Sequence, residues 1–144
     1  MCNKGNTLKQ YMISPEDMWY EINNEFGGSG GVYVLKSISD TNNLPITINR
    51  LLGNDVQGIL YVGKANCFTD RVAELKKSIA PDYASDSHEC GSRYKNNSNI
   101  QKAFPFESLC IELIRSGNPR QAELEMLKKY EESFGELPPL NRSR

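Results

Sequence analysis

Glu123 stands where a charged side chain is out of place. At about 100° per residue along a helix, Leu127, Tyr130 and Phe134 gather on one face with Met126 beside them. Glu123 falls in the middle of that face, one turn before Leu127, while Glu125, Lys128, Lys129 and Glu132 point away and read as solvated surface. Carboxylates are rarely buried without a partner, because the desolvation cost is several kcal/mol. An inward Glu123 therefore calls for an arginine, a lysine or a metal ion opposite it. The alternative is a glutamate near a helix N-terminus, held by the macrodipole and only partly covered. A second group of chemically capable residues lies on strands. Tyr33 shares a strand face with Leu35, and Tyr61 shares one with Ile59. Antiparallel pairing would bring both phenols to one surface, against Arg71 at the margin of the next helix's apolar stripe. Two ordinary strand aromatics are the plainer reading of the same pair.

The elements that must position these residues are legible from caps, breakers and periodicity. Ser14-Pro15-Glu16-Asp17 reads as a helix start running to Phe26, ended by Gly27-Gly28. Val32–Leu35 reads as a strand, Ile46–Leu52 as a second and Gly58–Val62 as a third, with turn chemistry at Gly53-Asn54-Asp55. Asn66 is placed to cap a helix from about Cys67 to Ala80, with Phe68, Val72, Leu75 and Ile79 as its apolar stripe and Pro81 as its stop. Residues 82–92 read as an irregular loop, followed by a short helix near Tyr94–Phe104 and a buried strand at Leu109–Ile114. Asn118-Pro119 opens the last helix and Gly135 closes it. Pro138-Pro139-Leu140-Asn141 lies in an extended tail. The fold class is α+β: a small central antiparallel sheet of about three strands flanked by helices.

Composition sets the outer limits. The chain has 144 residues, 38% hydrophobic and 24% charged, which suits one soluble globular domain. No apolar run approaches the roughly 20 residues that span a bilayer, and Met1–Tyr11 lacks an apolar signal core, so a cytoplasmic location without membrane attachment is expected. Cys2, Cys67, Cys90 and Cys110 form no CxxC pair and read as free thiols in a reducing compartment. A zinc site built from His88, Cys90 and Cys67 is a weaker alternative without recognisable spacing. The net charge of −1 does not announce a nucleic-acid binder, although a basic face can hide within a neutral total.

The motifs carry the argument further. Gly31-Val32-Tyr33 and Tyr61-Val62-Gly63 resemble the two signature tripeptides of the GIY-YIG nuclease superfamily. The resemblance continues through Lys64 and Ala65 to Arg71, ten residues after Tyr61, where that family places its helix arginine. Glu123, seven residues before Tyr130, resembles the family's metal-binding glutamate, and Pro138-Pro139-Leu140-Asn141 is similar to its closing motif. The likeness spans about residues 30–141 and selects Glu123 over Glu125, as the helical wheel does. It implies an N-terminal helical extension over 1–29 and a nuclease domain over 30–144, together one globular unit. The segments from Tyr33 to Tyr61 and from Glu123 to Asn141 are longer than in compact repair-type members. Members resembling restriction enzymes often place a histidine near the site, and His88 is the sole histidine here.

The resemblance implies a metal-dependent DNA endonuclease. Glu123 would anchor Mg2+ or Mn2+, and Arg71 would bind a non-bridging phosphate oxygen. Tyr33 would accept the proton of the attacking water, its pKa lowered by Lys64, Arg71 or the metal. Tyr61 would orient that water or act as the base itself. Lys64 would contact phosphate, Asn141 would hold the site together by hydrogen bonds, and His88 would assist. Lys76, Lys77, Arg93, Lys95, Arg142 and Arg144 are scattered candidates for phosphate contacts. With little room for a DNA-reading segment, specificity falls to a partner protein or a homodimer, or is low. The rival reading is the same fold without catalysis, kept for binding DNA or a protein.

Overall fold

The computed structural model describes residues 8–82 and 88–142. Cys2 and Arg144 lie outside the described residues, as do residues 83–87 of the segment read as a loop. The chain enters at Leu8–Met12 (β1) and turns over residues 14–17 into Met18–Phe26 (α1). The helix starts later than a Ser14 cap implies. The Ser14 and Pro15 carbonyls are bound by the Lys76 ammonium, and Asp17 becomes the N-cap without a side-chain hydrogen bond.

Gly31–Ser37 (β2) is buried along its whole length, as a central strand with both faces covered must be. A small hairpin follows, Ile48–Arg50 (β3) and Gly53–Asp55 (β4), turning at Leu51-Leu52. The expected turn at residues 53–55 is therefore a strand, and this hairpin is a sheet of its own. Its register is fixed from outside. Leu52 N–H bonds the Phe134 carbonyl, and the buried Asp55 carboxylate accepts from Gln57, Gly58 and Ile59 N–H and from the Tyr130 hydroxyl.

Ile59–Ala65 (β5) leads into Phe68–Ile79 (α2), whose expected stripe of Phe68, Val72, Leu75 and Ile79 is fully in the core. In place of one helix near residues 94–104 there are two, Glu89–Lys95 (α3) and Ser98–Ala103 (α4), the second capped by Asn97. Leu109–Arg115 (β6) precedes Pro119–Phe134 (α5), which opens at the Asn118 cap and closes at Gly135 as read from sequence.

The fold is α+β with an antiparallel sheet in the order β1-β6-β2-β5. It has four strands, not about three, because β1 adds to the edge beside β6. The N-terminal segment thus contributes a strand as well as a helix. Alternation sorts the core into two layers. Tyr33, Leu35, Ile111 and Leu113 face α1 and α2, packing with Ile22, Phe26, Phe68 and Leu75. Val32, Val34 and Val62 face Leu127 on α5. Among the described residues, no helix is long and apolar enough to cross a membrane.

Candidate functional site

The two phenols meet through strand register. Tyr33 pairs with Gly63 and Leu35 pairs with Tyr61, so the tyrosines are diagonal neighbours, with ring centroids 6.0 Å apart. Tyr61 does not share a face with Ile59, as plain alternation would have it. Leu35 pairs with Tyr61 and Lys36 with Ile59, leaving Leu60 as an extra residue in a β-bulge. The bulge turns Ile59 toward the α5 layer, while Tyr61 joins the layer of Tyr33. Gly63 is what lets the Tyr33 ring lie across its neighbour. A Cβ there would sit 2.4 Å from Tyr33 Cζ and 2.5 Å from its hydroxyl oxygen.

Tyr33 has 0% exposure and Tyr61 8%, so the second phenol is nearer to solvent. The Tyr33 hydroxyl is 2.7 Å from His88 Nε2. His88 is itself fully buried and is the N-cap of α3, its Nδ1 accepting the Cys90 N–H at 3.2 Å. An acceptor at Nδ1 leaves the ring proton on Nε2, so the neutral imidazole donates to Tyr33. Burial, helped by the Arg71 charge and opposed by Glu74, pushes the His88 pKa down to about 4, which keeps the ring neutral near pH ~7. Close contact between helices brings His88 here, since a Cβ on Gly91 would overlap Ser78 Cβ of α2.

Burial, with Tyr61 next, raises the Tyr33 phenol well above its ordinary value, and the opposing pull of Arg71 does not offset it. Of the groups expected to lower it, Arg71 acts in that direction and burial outweighs it. Tyr33 is held as a neutral phenol because desolvation outweighs the neighbouring cation.

Glu123 points inward. Its side chain is 14% exposed, and the cation opposite it is Lys64, at 3.8 Å from Nζ to Oε1. Burial raises the Glu123 carboxyl pKa, while the Lys64 and Arg71 charges oppose the rise. Arg71 projects from the first turn of α2, beside the Tyr33 hydroxyl, and donates from Nη1 to Glu74 Oε1 at 2.6 Å. Tyr33, Tyr61, Lys64, Ala65, Asn66, Arg71 and Glu123 together line an open hollow of about 260 Å³.

Asn141 is not among the lining residues. Its Oδ1 accepts the Val62 N–H and its Nδ2 donates to the Val62 carbonyl, both at 3.0 Å. With the Leu140 N–H on the Leu60 carbonyl, the tail satisfies the free edge of β5 and fixes the strand that carries Tyr61 and Lys64. Sequence reasoning missed Glu74. Its position one turn after Arg71 was the available signal.

Glu123 is the one carboxylate among the described residues that lines the hollow, and the hollow is open to solvent, so an ion held there would keep most of its waters. One carboxylate with room for water suits Mg2+, which keeps several waters and uses few protein ligands. Among the described residues no group of three His, Cys, Asp or Glu side chains is arranged to hold a metal, and His88, Cys90 and Cys67 form no such group. No protein-family model, curated protein or solved structure matches the chain.

Proposed function

We propose that the protein is a divalent-metal-dependent endonuclease hydrolysing phosphodiester bonds, with DNA as substrate. The observation that carries this reading is the convergence of Tyr33, Tyr61, Lys64, Arg71 and Glu123, from β2, β5, α2 and α5, on one open hollow. These are the residues on which the likeness to the GIY-YIG superfamily rests.

Glu123 would hold Mg2+ or Mn2+, with water completing the shell of the ion. The ion supplies charge neutralisation for the phosphorane-like transition state and for the leaving 3′-oxygen. Arg71, always charged and forked, binds a non-bridging phosphate oxygen. Lys64 is 52% exposed and reaches a neighbouring phosphate once Glu123 has another partner. Tyr61 contacts the attacking water. Tyr33 would serve as the base only after losing its own proton to solvent, a loss that the charge of an ion held at Glu123 would favour, and His88 Nε2–H would then donate to the phenolate oxygen. His88 is therefore a stabiliser of the phenolate and not a base, since its one free acceptor nitrogen is already used by Cys90. Asn141 acts through the backbone of β5 alone.

The inactive-module reading has one observation in its favour: Tyr33 is fully buried and burial holds its phenol in the neutral form. Incubating supercoiled plasmid with Mg2+ or Mn2+, with and without chelator, separates the two. Glu123→Ala and Arg71→Ala are each expected to slow nicking by about 100-fold or more, while Glu125→Ala cuts like wild type. A Glu123 or Arg71 variant that nicks at the wild-type rate would refute these roles.

A further inference from the structure

We propose that Glu74 is a positioning residue for Arg71, a role that rests on the nuclease reading of the hollow. Residues three apart on a helix are neighbours on its surface, and Glu74 Oε1 accepts from Arg71 Nη1 at 2.6 Å. A guanidinium carries five N–H donors in a fixed plane. Holding one of them on Glu74 sets the direction of the rest, and Arg71 lines the hollow together with Tyr33 and Glu123. Without Glu74 the long Arg71 side chain is free to leave the hollow, because 37% of it is already exposed. The pair is solvent-facing, with Glu74 52% exposed, so it contributes little to folding. Its effect falls on orientation.

Glu74 also stands where it could compete with phosphate for Arg71, and the two roles have opposite consequences. If Glu74 orients Arg71, Glu74→Ala lowers kcat by about tenfold with KM for DNA and the thermal midpoint unchanged. Glu74→Gln, which still accepts the Arg71 hydrogen bond, then recovers kcat to within about threefold of wild type. Nitrogen-15 spectra of the arginine side chains give a readout independent of cutting: separate Nη signals for Arg71 in wild type, averaged in Glu74→Ala. Unchanged or faster cutting by Glu74→Ala, Glu74→Gln as slow as Glu74→Ala, or Arg71 signals already averaged in wild type each overturn the assignment. A wild-type protein that shows a held Arg71 but cuts no DNA removes the nuclease reading and leaves Glu74 as the holder of Arg71.

Discussion

His88 and Tyr33 form the most constrained contact at the level of single residues. The cap hydrogen bond from Cys90 N–H decides which imidazole nitrogen carries the proton, and that proton faces Tyr33. Both residues stand out in the sequence, but their contact does not, since they lie far apart in the chain and α2 and α3 bring them together. Glu123 was legible, because a carboxylate on an apolar helix face contradicts its own neighbourhood, and the wheel needs no tertiary information. The cation it calls for is Lys64. His88 has a consequence for stability. Its folded pKa is lowered to about 4 against 6.5 for the free group, so in between the unfolded chain takes up a proton that the folded chain does not. That contribution is fully present above pH ~6.5 and is lost as pH falls toward about 4. His88→Asn keeps an N-cap acceptor and removes the titration, so its thermal midpoint should fall less than that of wild type between about pH 7 and pH 5. Equal falls in the two proteins would show that His88 does not take up the proton.

The α2 stripe, the Asn118 cap of α5 and the central strand β2 all follow from periodicity and capping. The Ser14 and Asn66 caps do not, since the N-caps of α1 and α2 are Asp17 and Cys67. Further misses come from contacts between elements. Asp55 and Phe134 hold β4 as a strand at residues that read as a turn. β1 exists because β6 offers it an edge. The β-bulge at Leu60 reversed the face assigned to Ile59, which no alternation rule could reveal. Gly63 joins the two levels, since it is a motif residue whose physical reason is the Tyr33 ring lying over it. A methyl group there must push the ring or the strand, so Gly63→Ala should destabilise the fold by about 1–3 kcal/mol, as overpacking does. Chemical denaturation measures this directly. A loss below about 0.5 kcal/mol would mean the ring moves aside freely and Gly63 is no spatial requirement.

Across the whole molecule, the helical layers on the two sides of the sheet share the work. α2 and α3 carry Arg71 and His88, the sheet carries the phenols and Lys64, and α5 contributes Glu123. The net charge of −1 gave no hint that Lys64 and Arg71 come together here, each beside a carboxylate. The central claim is that the hollow holds a divalent ion and a phosphate together. A crystal of the protein with Mn2+ and a short DNA duplex, located by the anomalous signal of the metal, tests it most directly. The expected result is Mn2+ on the Glu123 carboxylate, with a phosphate within hydrogen-bonding reach of Arg71 and beside the hydroxyl of Tyr61. Metal bound elsewhere, or DNA lying on a face that leaves the hollow empty, would contradict it.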